Sequence, residues 1–147
     1  MLFRSAVEEN RAAVTEGEAS ARLNRISSDQ CRFVTAQVET FASQAVTPRL
    51  RSGHEARGAP QNAYDVVVLD PPREGCTPSV LQQVFGRLRP ARSIYVSCNP
   101  EALARDLGAI VREGYVVRTL QPVDMFPHTA HVETVAVLDR LEGRRTR

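Results

Sequence analysis

The sequence predicts an α/β fold built on a mostly parallel sheet. Two observations carry that prediction. Through the second half of the chain, β-branched apolar runs alternate with stretches of helical apolar period. Two of those runs also break directly into polar turns that contain proline. The size is compatible: 147 residues, 42% hydrophobic and 24% charged, is the composition of one globular domain with a proper core.

Taken in order, residues 9–24 are rich in Ala and Glu and read as a helix that Gly17 weakens. Residues 31–35 (CRFVT) read as a short strand. Residues 47–63 collect Pro48, Gly53, Gly58, Pro60 and three arginines without an apolar period, which reads as an exposed loop or insertion. Residues 65–69 (DVVVL) form a continuous run expected of a strand buried on both faces, and it breaks at Asp70-Pro71-Pro72. Thr77-Pro78 supplies an N-cap and a first-turn proline. Val80, Leu81, Val84, Phe85 and Leu88 follow at helical spacing up to Pro90. A second buried strand, residues 93–97 (SIYVS), runs into Cys98-Asn99-Pro100. Pro100 opens a helix with Leu103, Leu107, Ile110 and Val111 on one face, closed by Gly114. Residues 115–120 and 132–138 (VETVAVL) complete the strands, and no internal repeat is present.

Several classes are disfavoured. No apolar run approaches the roughly 18 residues of a membrane span, so no membrane partner is expected. Residues 1–10 lack the apolar core of a signal peptide. Cys31, Cys76 and Cys98 contain no C-x-x-C pair and make neither a disulfide framework nor a zinc site by spacing. The expected setting is reducing and cytoplasmic. All 19 basic residues are Arg. Arginine suits bidentate contact with phosphates, but coding bias in a GC-rich genome gives the same composition, and a net charge of +2 does not decide between them.

In open α/β sheets, ligands bind beyond the carboxyl ends of the parallel strands. Two polar clusters hold that position: Asp70-Pro71-Pro72-Arg73 and Ser97-Cys98-Asn99-Pro100. Asp70 alone is as compatible with a turn aspartate as with a ligand. Cys98 precedes a helix N-terminus, where the dipole and free N–H groups favour a thiolate; on composition alone, a single Cys after a strand is more often an inert core thiol. Cys31 and Cys76 lack such a setting and read as structural. A third cluster runs from Asp124 to Glu133 with His128 and His131, in a spacing that matches no helical zinc pattern. If the last strand is antiparallel, its start lies at the same sheet edge, and Glu133 faces the Cys98 side. Otherwise Glu133 is an edge carboxylate in water.

Together, VVLDPPREG (residues 67–75), IYVSCNPEALARD (residues 94–106) and PVDMFPHTAHVETVAVL (residues 122–138) resemble the RNA uracil-5-methyltransferases, in family order and spacing. The resemblance is strong over residues 64–140. It extends weakly to 6–40, through Val7-Glu8, Ala21-Arg22-Leu23-Asn24 and Phe33 to Gln37. It implies a Rossmann-like, S-adenosylmethionine-dependent methyltransferase sheet, mostly parallel with an antiparallel last strand. The implied reaction transfers a methyl group to carbon 5 of uridine in tRNA or rRNA. By resemblance Cys98 is the nucleophile and Glu133 the base. Glu8 falls on the cofactor ribose, Gln37 near its adenine, and Asp70 beside the cofactor and target base. The cofactor is S-adenosylmethionine, no metal is expected, and RNA is the partner. The His128/His131 pair then reads as structural.

The family's first strand and the glycine-rich turn after it do not match anything in this sequence. The expected organisation is therefore a partial methyltransferase domain. Residues 1–46 are the cofactor-side portion, 47–63 a loop or insertion, 64–140 the catalytic portion and 141–147 a basic tail. A missing N-terminal segment or a partner subunit is implied, and the competing expectation is an incomplete remnant that binds RNA or a partner. Adenine or cytosine amino-methyltransferases also place Pro-Pro after an acidic or amide residue. They usually follow it with a stacking aromatic, where this chain has Arg73.

Overall fold

The computed structural model describes residues 4–46, 64–129 and 131–141. The expected loop at 47–63 and the basic tail beyond residue 141 lie outside them. The chain divides into two compact units, Met1–Gln44 and Ala45–Arg147.

In the first unit, β1 (Arg4–Glu8) and β2 (Cys31–Thr35) pair in parallel, with Glu8 opposite Thr35. Between them runs α1 (Arg11–Leu23), capped by Asn10, whose Oδ1 accepts from the N–H groups of Ala12 (2.9 Å) and Ala13 (3.4 Å). Gly17 does not break α1, because it serves packing. A Cβ there would stand 2.6 Å from Cε1 of Phe33, so the glycine lets the β2 ring lie against the helix. A second helix, α2 (Val38–Val46), follows β2 and was not anticipated.

In the second unit, four strands stand in the order β3 (Val66–Leu69), β4 (Arg92–Ser97), β6 (Glu133–Arg140), β5 (Tyr115–Val123). β3 and β4 are parallel, and β6 is antiparallel to both β4 and β5. Three strands thus run one way and the last runs against them, as the family resemblance implies. On one face Ser93, Tyr95 and Ser97 lie opposite Leu138, Ala136 and Thr134, all buried. Helical residues Phe85, Leu103 and Ile110 complete that core, and the Phe85 ring stands edge-on to Tyr115 at 5.1 Å.

Four expectations need correction. The DVVVL run is not buried on both faces: Val66 is 49% and Val68 62% exposed. Val66 and Val68 share the face opposite the buried Leu69, so the run is covered on one face only and its β-branched residues report strand propensity rather than double burial. The helix after Thr77 is α-helical only over α3 (Pro78–Leu81) and continues as a π-helix over Gln82–Leu88. Apolar spacing does not separate the two, since Val84, Phe85 and Leu88 are buried in either winding. The stop comes at Arg89, which is left-handed (φ 49°) and donates its N–H to the Val84 carbonyl at 2.8 Å, just before Pro90. On α4 (Pro100–Arg112), Val111 is exposed and Asp106 is buried in the core. β5 extends beyond the predicted 115–120 and includes Pro122, which an edge strand tolerates.

Candidate active site

Ser97 at the end of β4 pairs with Thr134 at the start of β6. One residue further out on each strand stand Cys98 and Glu133, which the antiparallel register brings opposite each other. Strand alternation carries both to the face shared by Val96 and Val135, opposite the buried Ser97 and Thr134. Leu69 is in register with Tyr95, so Asp70 comes level with Val96 on that same face. Three residues distant in sequence are therefore placed on one face at the same end of this sheet. Cys98 and Glu133 are half-buried, and Asp70 is exposed.

The turn holding Cys98 is braced on both sides. The Ser97 hydroxyl accepts from the Asn99 N–H (3.1 Å) and donates to the Asn99 carbonyl (3.0 Å). Asn99 is the N-cap of α4: its Oδ1 accepts from Glu101 and Ala102, and its carbonyl accepts from the Leu103 N–H at 3.0 Å. This corrects one expectation. Pro100 has no N–H, and those of the next three residues are bonded to Asn99. The first turn of α4 therefore offers Cys98 the dipole field but no N–H groups.

Asn99 has a further use. Its Nδ2 donates to the Arg73 carbonyl at 3.0 Å, joining the two polar clusters after β3 and β4. In the first of them, the Gly75 N–H donates to the Pro72 carbonyl (2.8 Å) and Gly75 takes φ +80°. Sequence reading passed over Ser97 and Asn99 as site residues. The signal was available, since Ser-x-Asn-Pro before a helical period is a turn followed by a cap.

The third cluster presents Met125 (62% exposed) and Phe126 (47%) beside the Glu133 strand. Phe126 meets the His131 ring edge-on at 6.4 Å, and the turn closes through the Thr129 N–H and hydroxyl, both donating to the Phe126 carbonyl. His128 is left-handed, with φ 67°. Among the described residues, no three His, Cys, Asp or Glu side chains are grouped to hold a metal.

Glu8 and Gln37 lie in the first unit. Glu8 ends β1, and its carbonyl accepts from the Ala36 N–H at 3.1 Å, so Gln37 follows at the same edge of the two-stranded sheet. Both are exposed, and Glu8 Oε1 accepts from the Asn10 N–H at 2.7 Å. In the second unit a groove of about 740 Å³ runs between α3 and α4, past Glu74, Cys76, Arg105 and Arg112. Cys98, Glu133 and Asp70 do not line it.

The architecture is that of methyltransferases. The chain superposes on an rRNA methylase from Streptococcus thermophilus with a TM-score of 0.59 at 10% identity, covering 94% of this chain and 73% of that one. It superposes equally well on magnesium protoporphyrin IX methyltransferase from Synechocystis, solved with bound S-adenosylmethionine. That match has a TM-score of 0.59 and 13% identity, over 95% of this chain and 60% of the other. At such identities the likeness is one of fold. Sequence narrows it: the profile of the tRNA (uracil-5-)-methyltransferase family matches residues 6–141, and the chain belongs to that family. An uncharacterized RNA methyltransferase of Gloeobacter violaceus is 42% identical over 134 residues, which are 91% of this chain and 25% of the relative. One of Bacillus cereus is 50% identical over 78 residues, 53% of this chain and 17% of the relative. The chain thus spans about a quarter, or less, of the length of these curated relatives.

Proposed function

We propose that this chain carries the nucleophile and the base of an enzyme that methylates carbon 5 of uridine in tRNA or rRNA. S-adenosylmethionine is the donor and the cytoplasm the setting. The observation that supports the reading most directly is the β4–β6 register, which brings a half-buried thiol and a half-buried carboxylate to adjacent positions at the carboxyl edge of the sheet.

Two side chains of the first unit suit parts of the cofactor. An exposed carboxylate and an exposed amide at neighbouring strand ends suit a ribose diol and an adenine edge, so Glu8 and Gln37 would hold those parts. Asp70 would stand beside the donor and the target base. When bound, S-adenosylmethionine supplies an electrophilic methyl group.

The protein's task is to make carbon 5 of uracil nucleophilic. The Cys98 thiolate adds to carbon 6, pushing the ring electrons onto the carbonyl as an enolate, with carbon 5 now able to form the new bond. After methylation, Glu133 removes the proton from carbon 5. The electron pair re-forms the ring double bond and expels Cys98 as thiolate. To reach Cys98 the uridine must leave its stack.

The test is nucleoside mass spectrometry of RNA incubated with the chain and S-adenosylmethionine. Appearance of 5-methyluridine supports the reading, and methylation at any other atom overturns it. A second reading, a non-catalytic RNA- or partner-binding chain, is favoured by one observation: β3 has no strand on its outer side among the described residues, and Val66 and Val68 are exposed. RNA binding that is steeply salt-dependent, without any binding of S-adenosylmethionine, would favour that alternative.

A further inference from the structure

Asp106 is a carboxylate buried to 1% exposure in the core of the second unit. Burying a charge is costly unless donors surround it, and here they do. Asp106 Oδ2 accepts from the Tyr95 hydroxyl (2.5 Å) and the Cys76 backbone N–H (2.7 Å). Its Oδ1 accepts from Nε (2.9 Å) and Nη2 (2.8 Å) of Arg105. Arg105 Nη2 also donates to the Glu74 carbonyl at 2.6 Å.

These bonds converge on one object, the loop from Asp70 to Cys76. A Cβ on Gly75 would stand 2.5 Å from Asp106 Oδ2 and 2.6 Å from Arg105 Nη2, so the loop backbone lies directly on the pair. With the Asn99–Arg73 bond, the loop is tied to α4 at Arg73, Glu74 and Cys76. α4 begins immediately after the Cys98 turn, and the loop begins with Asp70. A side chain needed only to fill space would be apolar; a carboxylate that gathers donors from β4, α4 and the loop fixes where the loop sits.

We propose that Asp106, together with Arg105, is a positioning residue for methyl transfer: it holds the Asp70–Cys76 loop in place so that Asp70 stands on the Cys98 face of the sheet. This inference rests on the uracil-methylation reading above. It adds a residue that touches neither substrate nor cofactor and acts through the loop.

The experiment compares the wild-type chain with Asp106→Asn. The amide keeps the size but replaces one acceptor oxygen with a donor. Three quantities are read: kcat and KM for RNA methylation, the hydrogen-exchange rate of the Cys76 amide, and the alkylation rate of Cys98 by iodoacetamide. The expected result is a kcat lower by about 10- to 100-fold, with KM for RNA and Cys98 alkylation little changed and Cys76 exchange accelerated. A kcat within about twofold of wild type, or unchanged Cys76 exchange, would overturn the proposal. If Asp106→Asn does not fold, Arg105→Met at a 60% exposed side chain is read the same way. A wild-type chain that folds but methylates nothing counts against the function, and the Cys76 exchange arm then decides the loop's tether by itself.

Discussion

Among the described residues, Cys98 is held by its neighbours rather than by a hydrogen bond of its own side chain. Ser97 braces the turn, and Asn99 caps α4 and reaches across to Arg73. Asn99→Ala removes a cap worth about 1 kcal/mol together with the cross-link between the two polar clusters. We expect a loss of about 1–2 kcal/mol in denaturant unfolding and a fall in methylation greater than the stability loss explains. Gly75→Ala should cost more, about 2–4 kcal/mol, because φ is +80° and the new Cβ meets Asp106 and Arg105 at contact distances no side chain tolerates. An unfolding midpoint equal to wild type would contradict the packing described at that glycine. Cys31→Ala and Cys76→Ala should keep most of the activity, and equal losses from Cys76→Ala and Cys98→Ala would sink the assignment of the nucleophile.

Among the elements, the strands of the second unit and the order of its helices could be read from sequence, because buried β-branched runs and capped helical periods are local signals. β4 and α4 emerge within a residue of expectation, with Asn99-Pro100 marking the boundary. What local pattern does not carry is winding, covered face and neighbour. The π-helix over Gln82–Leu88 keeps the same residues buried as an α-helix would. The exposure of Val66 and Val68 depends on their sharing one face of β3, opposite the buried Leu69, and the burial of Asp106 depends on donors 11 and 30 residues away. α2 could have been found, since Val38, Phe41, Ala42 and Ala45 follow a helical period. The candidate site was proposed from its residue types, while bringing Cys98 and Glu133 to the same end of the sheet needed the antiparallel register. The exposed valines of β3 also give an expectation. Concentrated chain should self-associate through that edge, and Val68→Lys should suppress the association in sedimentation velocity. Unchanged self-association would place the contact elsewhere.

For the molecule as a whole, pH reports the integrity of the second unit. Burial pushes the Tyr115 phenol up to about 12; burial, reinforced by the bond to Asp106, pushes Tyr95 up as well. Unfolded tyrosines ionise near about pH 10. The folded chain therefore keeps protons that the unfolded chain releases. Their contribution to stability is complete below about pH 10 and is lost as pH rises through the folded values. In an alkaline titration followed by phenolate absorbance, two of the three tyrosines should ionise only as the fold opens. Ionisation of all three near pH 10 with the fold intact would contradict the buried positions of Tyr95 and Tyr115.

The most direct measurement is intact mass after incubating the folded chain with S-adenosylmethionine and RNA containing 5-fluorouridine. In the proposed mechanism fluorine stands where Glu133 would remove a proton, so the ring could not release the thiolate. The expected result is a covalent RNA–protein species that disappears in Cys98→Ala and persists in Glu133→Gln. An adduct that survives Cys98→Ala would contradict Cys98 as the nucleophile, and a folded chain that forms no adduct would contradict catalysis by this chain on its own.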